Sequence, residues 1–339
     1  MKKLVFAFFA LCLSVSALAD EVRLKDTHPD RYTVVKGDTL WDISETFLQN
    51  PWMWPEIWHV NPQIENPHLI YPGDDITLIY LDGKPRLTVE RGKRVVKLSP
   101  KVRATPLDEA IPAIPLDAIN NFLSRSRVVT SAELDAAPHV LTGAEQHLVV
   151  GEGDDLYARG DFSDGIKTYG VYRAGQRFID PETNELLGLQ ALDIGTVKLE
   201  KEQGEVGTFA VTRTTEEIRI ADRLLPNEER AIDSTFFPSV PVEDISGVIM
   251  AVEGGVSQVG RMDVVAINRG EREGVAIGNV MAIFKDGGVI RDRVKGDVVK
   301  LPEEKAGLLM VFRTFEKMSF ALVLEADRPL AVLDKVHRP

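Results

Sequence analysis

The run from Tyr32 to Trp41, Tyr-Thr-Val-Val-Lys-Gly-Asp-Thr-Leu-Trp, constrains the fold more than any other stretch. Tyr32 and Val34 alternate as in a short strand, and Gly37 supplies the backbone freedom for a sharp turn. Thr39 followed by Asp42 has the spacing of a capping box, which predicts a helix starting at Leu40. Leu40, Ile43 and Phe47 then share one helical face. Asn50-Pro51 ends that helix. A second short helix starts at Pro51 or at Pro55, both suited to a first turn, and runs to Asn61-Pro62. After Tyr71-Pro72-Gly73 a second strand covers Ile76 to Ile79. The expected order is strand, helix, helix, strand within residues 30–81.

This pattern resembles the LysM domain, a module that binds N-acetylglucosamine polymers. The residues that carry the resemblance are Tyr32 and Val34, Gly37-Asp38-Thr39-Leu40-Trp41 with Ile43, Asn61-Pro62 with Ile64, Asn66-Pro67, Leu69 through Gly73, and Ile76. The resemblance implies recognition without catalysis, in a shallow groove that matches amide, hydroxyl and methyl groups of the sugar. Its walls would be Gly37, Asp38, Thr39 and Leu40 on one side and Asn61, Pro62, Leu69 and Ile70 on the other. The alternative is purely structural: Asp38 and Thr39 form the turn and cap, and Leu69 and Ile70 fill the core. All four tryptophans, Trp41, Trp52, Trp54 and Trp58, lie in this stretch. A very small domain needs large apolar residues to fill its interior, so Trp41 and Trp58 are expected in the core. Trp52 and Trp54 could serve either core or sugar stacking.

Residues 1–19 have the make-up of a secretory signal. Lys2 and Lys3 precede an apolar run, and Ala17-Leu18-Ala19 stands before Asp20. The run is shorter than the ~20 residues of a membrane span, and no later segment has that character, so no transmembrane segment is expected. Cys12, the one cysteine, lies inside the signal, so a processed chain would have no disulfide to rely on. Removing Lys2 and Lys3 makes a chain of net charge −12 more acidic still, which argues against nucleic-acid partners. A signal followed by a glycan-binding module points to the periplasm and to peptidoglycan glycan strands as a partner.

Asp20 to Arg31 is polar and expected to be loose. Leu87 to Val89 and Arg94 to Leu98 could pair as a hairpin. Pro100, Pro106, Pro112 and Pro115 suggest a linker or small subdomain over 82–145. Within it, Asp117 to Leu123 and Ser131 to Leu134 have helical character. From His147 onward short alternating runs are punctuated by Gly and Asp. Gly207 to Ile218 aligns without gaps to Gly307 to Met318, and Gly195 to Leu199 resembles Gly296 to Leu301. Arg159-Gly160 echoes Arg269-Gly270. These matches predict a mainly-β C-terminal region of two related repeats, 146–235 and 244–339.

No catalytic pattern emerges. A processed chain has no thiol nucleophile, His139 and His147 are the nearest histidine pair, and neither His-Glu-x-x-His nor His-x-His occurs. Gly255-Val-Ser-Gln-Val259 misses the last position of Gly-x-Ser-x-Gly. Asp and Glu are abundant enough that a carboxylate pair is not excluded by sequence. No cofactor is expected. The layout of signal, LysM-like module, proline-bearing linker and β-rich region resembles the type IV pilus secretin-associated family. That resemblance implies a non-catalytic anchor, with an outer-membrane secretin ring as protein partner.

Overall fold

The computed structural model describes residues 22–58, 70–90, 112–114, 119, 126–163, 165–226, 236–253 and 258–339. The chain divides into two compact units, 1–111 and 112–339. Residues 1–19, Asn61, Pro62, Leu69, the run Arg94 to Leu98 and nearly all of Asp117 to Leu123 lie outside the described residues.

The N-terminal unit holds β1 (Arg31–Thr33), α1 (Leu40–Phe47), a 3-10 turn at Pro51–Met53, α2 (Trp54–Ile57), β2 (Asp75–Leu81) and β3 (Lys84–Glu90). The cap forms as the sequence predicts. Asp42 N donates to the Thr39 hydroxyl oxygen at 3.1 Å, and Thr39 N donates to the Asp42 carboxylate at 3.1 Å. Leu40, Ile43 and Phe47 are buried on one face of α1. The second helix begins at Pro51 but ends at Ile57, short of the expected Asn61, because Trp58 turns extended and bridges Leu87 in parallel. All four tryptophans are buried, and Trp54 meets Trp58 edge to face with centroids 6.5 Å apart.

Two expectations need correction. Asp82-Gly83 turns the chain straight back, so β3 pairs with β2 from Asp75–Glu90 to Leu81–Lys84. Leu87 and Val89 therefore belong to a three-stranded sheet, order β1-β2-β3, and the module extends past residue 81. The stretch before Arg31 is also tied down. Lys25 N donates to Phe47 O and Gln49 N to Arg23 O, both at 2.9 Å.

The C-terminal unit is mainly β. Its first part contains β4 (Ser126–Val129), α3 (Ser131–Ala136), β5 (His139–Gly143), β6 (Val149–Val150), β7 (Asp155–Arg159), β8 (Thr168–Ile179), β9 (Leu186–Gln203), β10 (Val206–Thr214), β11 (Ile218–Arg219) and β12 (Arg223–Pro226). The sheet runs β10-β7-β5-β12-β8-β9-β4, and β10 also pairs with β9, so six strands close into a ring. The ring takes in β5, upstream of the boundary expected at 146. Its shortest seam joins β5 to β12 through the single pair His139–Arg223, backed by Val140 N to Asp222 O at 2.8 Å. Inward residues alternate along each strand, as a closed sheet requires: Leu156 and Ala158, Tyr169 and Val171, Phe209 and Val211.

The second part contains β13 (Ser246–Val252), β14 (Gln258–Val259), β15 (Val264–Ile267), β16 (Val280–Lys285), β17 (Val289–Arg291), β18 (Val298–Lys300), β19 (Glu304–Thr314), β20 (Ser319–Ala326), β21 (Leu330–Ala331) and β22 (Lys335–His337). It closes as β13-β15-β20-β19-β16-β22 around Ile249, Val265, Ile283, Leu309, Val323 and Val336. Numbered in chain order within each ring, both rings have the strand order 1-2-5-4-3-6. In each, a two-stranded ribbon, β6–β11 or β14–β21, joins the segments after the first and fifth strands.

The sequence alignment does not follow this order. It sets β10, a fifth strand, against β19, a fourth strand. What β10 and β19 share is a register shift between Val211 and Arg213 in one and Val311 and Arg313 in the other. The matched glycine, valine and arginine positions record that common bulge. Gly195 to Leu199 lies in β9, whereas Gly296 to Leu301 belongs to the β17–β18 hairpin, so that match does not superpose either.

Candidate functional site

The site expected from sequence lies where two turns of the N-terminal unit run side by side. The first follows β1. Asp38 N donates to Val35 O at 3.1 Å, and the Asp38 carboxylate accepts from Val35 N at 2.7 Å and from the Tyr32 hydroxyl at 2.9 Å. Burial, and then the bond to Asp38, raises the Tyr32 hydroxyl above its ordinary pKa. Gly37 completes the turn at φ +102°, the left-handed region that favours glycine.

The second turn precedes β2. Asp74 N donates to Tyr71 O at 3.0 Å, and Tyr71 N donates to the Asp74 carboxylate at 3.1 Å. Gly73 sits at φ +92°. The turns are stitched together by Gly73 N to Val34 O at 2.8 Å and Val34 N to Asp74 O at 2.9 Å. Beneath them Asp75 accepts from Thr33 at 2.5 Å and from Arg31 at 2.7 Å, and these bonds, Thr33 first, lower its pKa. The rim is thus a rigid double turn, fixed by backbone bonds across it.

The eight expected contact residues separate into three groups. Gly37 is exposed at the rim and Asp38 half-buried beside it, its carboxylate engaged in the turn. Thr39, Leu40 and Ile70 are 3%, 1% and 1% exposed, and the Thr39 hydroxyl donates to Asp42 at 2.7 Å. Asn61, Pro62 and Leu69 lie outside the described residues. Sequence reasoning passed over Val35, 58% exposed, and the half-buried Tyr71 and Pro72 with exposed Gly73. Two signals could have found them. Val35 is out of phase with Val34, so strand alternation turns it outward. Pro-Gly marks the tip of a turn. The described rim therefore offers surface backbone at Lys36, Gly37 and Gly73 and an apolar side chain at Val35. These are the elements that sugar amides, hydroxyls and methyl groups require.

The family profile of the LysM domain matches residues 32–78, covering most of β1, both helices and most of β2. LysM domains bind glycans of the peptidoglycan and chitin type, so the match implies such binding by this module. The chain is also similar to YqbP, an uncharacterized protein of Bacillus subtilis (strain 168). The two are 38% identical over 60 residues, and the alignment covers 15% of this chain and 27% of that protein.

Proposed function

We propose that the N-terminal module holds the chain to peptidoglycan, gripping N-acetylglucosamine-containing strands along the double-turn rim, and that the protein acts as a non-catalytic anchor in the periplasm. The observation that carries this reading is the LysM match falling on two turns held together by paired backbone bonds. Such a rim recognises an uncharged, repetitive polymer through fixed donors and acceptors, at little cost in reorganisation. Of the eight residues expected from sequence, Gly37 contacts the glycan directly, and Asp38 sets its conformation. For Asn61, Pro62 and Leu69, which lie outside the described residues, glycan contact rests on the LysM resemblance alone.

One such groove binds weakly, with Kd of roughly μM to mM, or about −4 to −8 kcal/mol. Anchoring follows when a partner assembly gathers several copies. The two β rings, which we take to have arisen by duplication of one six-stranded unit, hold that assembly. The layout of signal, glycan module and β-rich region favours the type IV pilus secretin for this role. Co-sedimentation of the full chain with isolated sacculi tests the anchor. Pelleting that is relieved by soluble N-acetylglucosamine oligomers is expected, and a chain that stays in the supernatant refutes it. Crosslinking in cells tests the partner: recovery of a secretin is expected, and a partner set without one removes that assignment.

A further inference from the structure

Each ring sends out an arm between its third and fourth strands. In the first ring the arm is the outer half of β8 and β9, and in the second it is β17 and β18. Both arms close on the same turn. Asp180 N donates to Glu185 O at 2.8 Å and Asn184 N to Asp180 O at 2.9 Å. Asp292 N donates to Asp297 O and Gly296 N to Asp292 O, both at 2.8 Å. The first aspartate of each turn accepts from the N–H two residues on, Glu182 at 2.8 Å and Val294 at 2.7 Å. Asn184 and Gly296 both have left-handed φ, +60° and +81°.

The surroundings of the two arms differ. The first arm rests on the second ring. Phe178 meets Phe320 edge to face at 5.8 Å, and Asp180 accepts from Asn268 at 3.2 Å. Arg269 reaches Glu182 at 3.3 Å, while Arg272 and Lys317 reach Glu185 at 3.1 and 2.7 Å. The receiving mouth consists of the segment after the second strand, Asn268 to Arg272, and the turn between the fourth and fifth, Phe315 to Met318. Glu271 N to Phe315 O, 2.9 Å, joins them.

The first ring has the corresponding mouth. Arg159 ends its second strand and Gly160-Asp161 follow it, Gly204-Glu205 turn between its fourth and fifth, and Gly160 N donates to Glu205 O at 2.9 Å. An open cleft lies there, bordered also by Asp135, Ala136 and His139. Among the described residues no arm occupies it. The second arm, meanwhile, is bare: Val289 is 66% and Val294 94% exposed, and both faces of its two short strands point outward. A two-stranded ribbon exposing apolar residues on both faces is a binding element awaiting cover.

The charges fit an exchange. The first arm presents Asp180, Glu182 and Glu185 to a cationic mouth. The second arm presents Arg291, Arg293 and Lys295, and the first ring's mouth carries Asp135 and Asp161 beside the Arg159–Glu205 pair. The mouth's own cations are engaged: Arg159 pairs with Glu205 at 2.7 Å, and Arg223 donates to the Asp135 and Ala137 carbonyls at 3.3 and 3.1 Å. Of the second arm's acids, Asp292 accepts from Val294 N within its own turn at 2.7 Å and Asp286 pairs with Lys300 at 2.9 Å, which leaves Asp297 as an exposed acid beside three exposed cations.

We infer that the second ring's arm of one chain docks in the first ring's mouth of another copy, repeating between molecules the contact that the two rings make within one. The interface is head to tail, so it propagates as an open row or closes into a larger ring. Cys12 is the chain's one cysteine, which makes thiol crosslinking specific in a Cys12→Ser background. Full-length chains carrying Val294→Cys and Ala136→Cys are mixed and bridged with a short bismaleimide. A covalent dimer in the mixture, and a ladder of multimers from the double variant, are expected. Arg291→Glu with Arg293→Glu should abolish the mixed product, and Asp135→Lys with Asp161→Lys in the receiving chain should restore it. Three results overturn the inference: a single-chain mass at every concentration with no mixed product, Val294→Cys crosslinking to itself as readily as to Ala136→Cys, or a mixed product indifferent to charge reversal.

Discussion

The two units hold their shape by different means. The N-terminal unit rests on a few large anchors: an eight-residue helix, one capping box and four buried tryptophans under a three-stranded sheet. The C-terminal unit rests on closure. Each ring joins its last strand to its first, so the load is spread over many interlocked pairs. In the first unit, therefore, a single side chain decides folding and, through it, the rim. In the second, no single side chain does. On the proposed reading, where the first unit concentrates stability it also concentrates recognition, because the bonds that fix the rim begin at the strand and cap that fix the fold.

The largest effect is expected from Trp41→Ala. Removing this buried indole should cost about 3–5 kcal/mol, enough to unfold a module this small. Calorimetry of the full chain should lose a separate transition for the module, sacculus pelleting should fail, and the ring transition should stay where it was. Phe209→Ala, a cut of similar size into the Phe162–Tyr169–Phe209 cluster, should lower the ring transition yet leave pelleting intact. Rings that melt together with the Trp41→Ala module would dissolve the distinction.

Asp38→Ala leaves the Val35 amide and the Tyr32 hydroxyl without their acceptor, at about 1–2 kcal/mol. Because it loosens the rim itself, glycan affinity should fall by more than the loss of folded molecules accounts for. Thr39→Ala, with the cap lost and the residue buried, should cost about 1 kcal/mol and reduce pelleting only in step with unfolding. Equal affinity losses in the folded fraction of both variants would mean that Thr39 meets the sugar after all.

The smallest effect concerns the clamp between the rings. Bonds from Arg272 and then Lys317 hold the Glu185 carboxyl at about 2, below its ordinary 4.5. A lowered folded-state pKa stabilises above the ordinary value and is lost as pH falls, so the clamp should weaken between about 4.5 and about 2. Glu185→Gln should flatten that part of the pH profile of ring melting. An unchanged profile would show that the ion pairs there contribute little, as exposed pairs often do.

Much of the N-terminal unit was legible because its signals are local. The Thr39–Asp42 box and the Leu40, Ile43, Phe47 stripe each fall within one or two helical turns. Trp52 and Trp54 resisted, since a 3-10 turn passes into an α turn between them and no single period describes both. The bonds tying Arg23 and Lys25 to the end of α1 are main-chain bonds, which no side chain announces. Asp82-Gly83 was visible as a turn, but its partner strand was sought downstream instead of across it. At the rim, the turn at Gly37 was legible and places it at the surface, whereas Thr39, Leu40 and Ile70 mark the turn's footing inside the core. The rings were legible only as β structure. Closure joins His139 to Arg223 in the first ring and Gly247 to Val336 in the second, far apart in sequence, and a shared bulge set β10 against the wrong strand of the second ring.

The central claim is that the double turn at Val34–Asp38 and Tyr71–Asp74 receives the glycan. Titrating amide-labelled full-length chain with a soluble N-acetylglucosamine oligomer, and following the amide resonances, tests it directly. Shifts concentrated at Val35, Lys36, Gly37 and Gly73, with the ring amides unmoved, are the expected result. An oligomer that leaves those four amides where they were, or moves only residues of the rings, would contradict it.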